Sequence, residues 1–434
     1  MFNIAHKESI YAKLSWSAIF KIIGMLLSYA VSILLIKNYG IETYGTYSLV
    51  IVIISLLSTV SVLGIDSSIV RIAAQNLKEE YFVFYSYKNA IYMVFIVSSF
   101  IALIYFSISN SEIESLFQKS SIGNYTHIVA IGIVLSSLTL VNASLLRGYH
   151  MAARYSLLRY AILPLLFIVS LLLIFALQMG GITLIMWAYL LCIFIVLVIS
   201  HHWIKSLFLF KSIKNNNKCC YSVKKLFFIS IPMLFTGLSA MIISWTDMLM
   251  IGSIMGDSSA GIYNMYIKIS LLIGFPIMIV NTVFYSIFSK AYGDSDELKL
   301  RSHVRKSSYL MIISGFVIVP IVAFFSELIL ISISDELALN MDTYWILFFA
   351  QFATYIFGPV GIYMNSTGNE KILAKTVAMV SVVNILLNYF LIPVFGMNGA
   401  AVSSFISMFL MYGIPNIYVY RKFGYLINGY KANI

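Results

Sequence analysis

The chain has 434 residues, of which 61% are hydrophobic and 10% charged, with a formal net charge of +11. Soluble domains carry roughly 45–50% apolar and about 25% charged residues, and here the apolar residues stand in long blocks, which excludes a soluble fold. No segment repeats a strand-like alternation, which excludes a transmembrane β-barrel, and the positive charge fits the anchoring of cytoplasmic loops rather than a nucleic-acid surface.

From the N-terminus, apolar blocks of about 20 residues, each long enough for a ~30 Å hydrocarbon core, predict twelve spans at roughly 14–36, 45–65, 89–109, 125–146, 157–178, 182–204, 226–251, 260–288, 308–330, 343–364, 373–393 and 399–420. The first block, Leu14 to Lys37, is too long for a signal-peptide core and has no small-x-small cleavage site. Within it Ser17, Lys21, Gly24, Ser28 and Ser32 recur at helical spacing and make one polar face. An ionisable group at the centre of a span costs at least ~2.5 kcal/mol, so it faces a cavity or a partner. Lys21 fits two roles: lining a cavity that attracts an anionic group, or snorkelling to cytoplasmic headgroups about 10 Å away.

Asp66 and Arg71 close the second predicted span, and Arg147, Arg154 and Arg159 flank the hairpin between the fourth and fifth. The planar fork of arginine donates two parallel hydrogen bonds to phosphate. These arginines make a basic inner mouth suited to a pyrophosphate, although the positive-inside rule alone also accounts for each of them.

Cys192 sits in an apolar block, and Cys219 and Cys220 adjoin in a Lys-rich loop, which is neither a disulfide framework nor a metal site. His201 and His202 point in different directions on a helix and make no metal site. Phosphate-loop, H-E-x-x-H and C-x-x-C motifs are absent, so neither an enzyme nor a cofactor is expected. The 30 tyrosines fit interfacial belts and also the stacking of sugar rings.

The central loop Lys205–Lys225 predicts an N-terminal bundle (1–204), a cytoplasmic linker (205–225) and a C-terminal bundle (226–434). In the seventh span Gly237, Ala240, Ser244 and Asp247 share a small, polar face. In the eighth, Lys268 lies at similar depth, because the midpoint of 247 and 268 falls in the intervening turn. Asp247 and Lys268 are thus a candidate pair, serving either as an ion-coupling or conformational-switch site or as a static structural ion pair.

With a cytoplasmic N-terminus, 24 of the 28 basic residues fall on the cytoplasmic side, Lys37 and Lys119 face out, and Lys21 and Lys268 lie within spans. This alternation predicts both termini in the cytoplasm. The first outer turn, Gly40 to Tyr47, and its counterpart Gly256 to Tyr263 both read G-x4-G-x-Y, and Gly180 aligns with Gly396 at the same offset. The expectation is an all-α membrane protein of twelve transmembrane helices in two parallel-repeat six-helix bundles, with a substrate site between the repeats.

The run Lys37-Asn38-Tyr39-Gly40 through Tyr44-Gly45-Thr46-Tyr47 to Leu63-Gly64-Ile65-Asp66, with Arg71 beyond, resembles polysaccharide flippases of the Wzx type, in the multidrug/oligosaccharidyl-lipid/polysaccharide exporter superfamily. Leu146-Arg147-Gly148, Trp245 to Gly252, Asn384 to Asn388 with Leu391-Ile392-Pro393, and Gly396 with Gly399-Ala400-Ala401 extend the resemblance along the chain. It implies two six-helix bundles around a central cavity. It also implies alternating-access, ion-coupled movement of undecaprenyl-pyrophosphate-linked oligosaccharide, an O-antigen or capsule precursor, across the bacterial inner membrane. By the same analogy, cationic residues of the amino-terminal half receive the pyrophosphate, with Lys21, Arg71, Arg147 and Arg154 as the candidate substrate-binding residues, and the partners are membrane lipids and the polysaccharide polymerase and chain-length machinery. Few intramembrane charges and the lack of two extra spans argue against a peptidoglycan-precursor role.

Two other functions stand beside this one. A drug/cation antiporter of the same superfamily would use Asp247 as its cation site. A membrane glycosyltransferase, polymerase or ligase needs a folded outer loop with catalytic groups, and the longest outer loop here, about Asn110 to Asn124, is too short for one.

Overall fold

A computed structural model of the chain describes residues 10–77, 79–108, 112, 121–178, 180–209 and 222–425. Lys7, Lys78, Lys119, Cys219, Cys220, Lys431 and most of the 205–225 linker lie outside the described residues. The described chain is helical with short 3-10 and π turns. It folds as two compact units, Met1–Leu238 and Ser239–Ile434.

The first unit comprises α1 (Ile10–Val62), α2 (Ile65–Gln75), α3 (Glu80–Ser107), α4 (Thr126–Gly148), α5 (Ala152–Ala176), α6 (Ile182–Leu209) and the start of α7 (Val223–Met255). The second continues α7 and adds α8 (Asp257–Gly293), α9 (Glu297–Ile333), α10 (Met341–Phe357), α11 (Val360–Ser366), α12 (Glu370–Phe395) and α13 (Met397–Phe423).

Among the described residues nine helices are long and apolar enough to cross a membrane, or ten with the bent pair α10 and α11 taken as one span. Two further features extend that series. Gly40, at φ 85 and ψ 165, divides α1 into two limbs, and α7 is itself 33 residues long. The series accords with the predicted twelve spans.

The breaks follow from the sequence. The conformation of Gly40 is open essentially to glycine alone. Gly64, left-handed at φ 76, ends α1 and starts α2. A Cβ on Gly64 would fall 2.4 Å from the Ser230 carbonyl oxygen, so glycine here also lets α7 approach. Ser68 and Ser230 join hydroxyls beside that contact at 2.7 Å. α2 is amphipathic: Ile65, Ser68, Ile69, Ile72 and Ala73 are buried on one face.

Lipid is as apolar as leucine, so membrane helices are held by close packing and interhelical hydrogen bonds. The core of the first unit is built from Ile69, Val83, Tyr87, Leu145, Ile204 and Phe208. Within it Tyr87 donates to Asn142 Oδ1 at 2.7 Å, and Asn142 Nδ2 donates to Ser200 at 2.8 Å. Phe284, Phe288, Val304, Tyr363 and Val419 form a core in the second unit. Large exposed side chains such as Phe316 and Phe324 on α9 suit a lipid-facing surface.

Candidate functional site

In the first unit the polar face of α1 packs on α5. Pro164 has no N–H, and a proline ring clashes with the carbonyl four residues back, here that of Tyr160. α5 accommodates this with a π-turn at Leu157–Ala161. A Cβ on Gly24 would lie 2.3 Å from that Tyr160 oxygen, so only glycine permits the approach. On either side of Gly24 in sequence, Ser17 and Ser156 join hydroxyls at 2.6 Å, and Ser32 bonds back to the Ser28 carbonyl at 3.0 Å.

The half-buried Lys21 holds its ammonium 5.7 Å from the Tyr160 ring centroid. Arg147 lies 5.4 Å from the Tyr155 ring, and the Tyr155 and Tyr160 rings meet edge-on at 6.3 Å. Two cations from α1 and α4 are thereby gathered on one tyrosine pair, each attracted by a ring face. Arg154 turns elsewhere, over Trp203 at 5.9 Å. Arg71 is exposed on α2, opposite the buried face. Its neighbour Val70 meets Gly148, the neighbour of the exposed Arg147.

The second unit holds a buried carboxylate. Asp247 is 3% exposed. It accepts hydrogen bonds from the Tyr263 hydroxyl at 3.0 Å, from Asn388 Nδ2 at 2.5 Å and from the Ser404 hydroxyl. Asn388 Nδ2 also reaches Asn384 Oδ1 at 3.2 Å. These groups come from α7, α8, α12 and α13. Asn388 Oδ1, Asn384 Nδ2, Ser403 Oγ and Ser407 Oγ are buried with no hydrogen-bond partner. Burying unpaired polar groups is unfavourable, and of these four only the two asparagines are joined to Asp247 by the bonds above.

Lys268, the other member of the candidate pair, stands on α8 with Tyr263, the phenol that reaches Asp247. The two are five residues apart, about 140° around a helix of 3.6 residues per turn. Sequence reasoning missed Tyr263, Asn384, Asn388 and Ser404 as site residues. The signal was present: two asparagines four apart in an apolar helix, followed in the next helix by Ser403, Ser404 and Ser407. Among the described residues no cluster of three or more His, Cys, Asp or Glu side chains is placed to hold a metal.

Comparison with solved structures places the fold. The lipid II flippase MurJ in an inward closed conformation aligns with a TM-score of 0.75 at 17% identity, covering 93% of this chain and 87% of that one. An inward-facing multidrug resistance MATE family transporter of the MOP superfamily aligns at 0.67 and 16% identity, covering 93% and 98%. The MATE multidrug transporter DinF-BH aligns at 0.67 and 19%, covering 96% of each. No curated protein matches the chain. The chain is thus a multi-pass α-helical membrane protein with the fold of MOP-superfamily transporters. The family model described as polysaccharide biosynthesis protein matches residues 40–334, and the chain belongs to that family.

Proposed function

We propose that this protein is a flippase that carries undecaprenyl-pyrophosphate-linked oligosaccharide repeat units, precursors of O-antigen or capsule, across the bacterial inner membrane by alternating access. Its termini face the cytoplasm, and its route to completed glycan passes through the polymerase and chain-length machinery. The observation that carries the reading is the match of residues 40–334 to a polysaccharide-biosynthesis family on a chain with a transporter fold.

The two polar sites divide the work. Lys21 and Arg147, with Arg71 and Arg154 near the same end of the unit, supply cations for the pyrophosphate; the ring faces of Tyr160 and Tyr155 hold two of them ready. Asp247 is the ion-coupling group. A carboxylate inside a membrane bundle marks an ion or proton site. The unpaired amide oxygen of Asn388, whose nitrogen bonds Asp247, adds a second oxygen acceptor at the site.

Deletion of the gene in its host tests the function. Loss of surface glycan with build-up of the lipid-linked unit, restored by the wild-type gene, is the expected result. A deletion strain that displays its full glycan but becomes sensitive to cationic dyes would instead establish the drug/cation antiporter.

A further inference from the structure

A second polar cavity in the C-terminal unit is left without a role by the two sites above. It is an open cleft of about 500 Å³ between α8, α10, α11 and α13, lined by Asn281, Tyr285, Gln351, Thr354 and Tyr412 with apolar neighbours. That volume lies within the ~300–1,000 Å³ of small-molecule sites.

Two of the walls are interrupted, and the third, α13, carries a proline inside an unbroken helix. α8 tightens to a 3-10 turn at Leu272–Gly274, with Pro276 following. α10 and α11 meet at a 47° bend around Gly358-Pro359. In α13, Tyr412 adjoins Gly413, and Pro415 follows inside the helix. Irregular backbone at membrane depth survives only where protein buries it or where it lines a watery cavity, and interrupted helices recur at the binding sites of transporters. These breaks are braced rather than loose: Tyr355 donates to the Ile273 carbonyl at 2.6 Å, and Asn416 to the Phe357 carbonyl at 2.9 Å.

The chemistry of the lining selects the ligand. None of the lining residues is charged, so the cavity offers a pyrophosphate no counter-charge. Amides, a hydroxyl and two phenols present donors and acceptors in both senses. Asn281 Oδ1 is buried and has no hydrogen-bond partner. Tyrosine adds an apolar ring face beside a polar tip, which suits the alternating C–H and O–H surfaces of a sugar. The neighbouring cleft of about 440 Å³, lined by Ile312, Phe316, Val319, Pro320, Phe352 and Tyr355 among others, is apolar and offers a sugar little.

We infer that the α8–α10–α13 cavity binds uncharged sugar residues of the transported lipid, apart from the cationic groups that take its pyrophosphate. This inference rests on the flippase reading and specifies which part of the substrate each unit reads.

The test uses the full-length protein in lipid nanodiscs and two probes: undecaprenyl pyrophosphate, and the same carrier bearing a neutral trisaccharide. The wild type should bind the glycosylated carrier at least tenfold more tightly. Asn281→Leu and Gln351→Leu should each remove at least fivefold of that preference and leave affinity for the bare carrier within twofold. Should the leucine variants fail to fold, a Gln351→Cys protein provides the second measurement: its maleimide labelling should be blocked by the glycosylated carrier and not by the bare one. Equal binding of the two carriers, equal weakening of both by the leucine variants, or labelling indifferent to the glycan overturns the inference while the flippase reading stands. Failure of the wild type to bind either carrier overturns both.

Discussion

Gly40 and Gly256, 216 positions apart in sequence, hold nearly the same backbone conformation, φ 85 and ψ 165 against φ 96 and ψ 179. Each stands between the first and second helical limbs of its own half. The repeat read in the G-x4-G-x-Y turns is therefore also a repeat of backbone geometry at its leading glycine. The later pair is looser: Gly396 has φ 59, whereas on the other side positive φ falls on Gly181 rather than on the aligned Gly180.

Gly40→Ala should destabilise the protein by about 1–3 kcal/mol, since a side chain is strained in that region of backbone space. Nothing lies within 4 Å of the Cβ it would gain, so the loss reports conformation and not crowding. Gly180→Ala, also in open space and without positive φ, is the matched control and should be silent. Thermal unfolding of the detergent-solubilised protein, followed by size-exclusion fluorescence, measures both; equal midpoints would refute the conformational argument.

Gly24→Val should separate α1 from the π-turn of α5, at a cost of about 1–3 kcal/mol from overpacking. The contact is with a backbone oxygen, which cannot rotate away. Because Lys21 and Tyr160 flank the contact, glycan export should fall with stability. Lys21→Met, by contrast, should lower export at least tenfold and leave the unfolding midpoint within a few degrees. A Lys21→Met strain with normal surface glycan would show that this lysine only anchors the helix end.

Asp247→Asn keeps the shape of the side chain and removes its charge. Export should drop at least tenfold while the protein still folds, and any stabilisation by sodium or by acid should vanish with the carboxylate. Ser404→Ala removes one of three donors to a buried carboxylate and should cost about 1–3 kcal/mol. Wild-type export from the Asp247→Asn protein at every sodium and proton gradient would leave the coupling role without support.

Asp296 caps α9, accepting from the Lys299 N–H at 3.0 Å and pairing with its ammonium at 2.7 Å. Those contacts hold its carboxyl below the ordinary aspartate range. A depressed folded-state value means that the cap stabilises fully above the ordinary aspartate value and is lost as pH falls through the lowered one. Asp296→Ala should therefore reduce the unfolding midpoint slightly at neutral pH, and the difference from wild type should close in strong acid. A difference that persists there would assign the effect to something other than the charged cap.

The architecture was legible because lipid imposes it: blocks long enough to cross, with glycine where the chain breaks. Lys21, Arg147 and Asp247 were legible as charges out of place. Their partners were not. Tyr160 reaches Gly24 through a π-turn that rephases α5, and a single proline in the sequence does not reveal which carbonyl will turn outward. Asp247 finds Asn388 and Ser404 more than 140 residues downstream, farther than any local spacing can show. Asn281 and Gln351 were not legible because each stands as a single uncharged amide in an apolar run, with no charge and no second amide at helical spacing to mark it.

Asn142 closes a circuit with Tyr87 and Ser200 in which its amide oxygen and nitrogen both find partners inside the N-terminal unit. Such a knot has no appetite for a solute, whereas Asn388, which bonds Asp247, keeps its own amide oxygen unpaired. Any melting response to added salt should consequently be local. Amides surrounding Asn388 should slow their exchange with deuterated solvent, and those around Asn142 should keep the same tempo at every concentration.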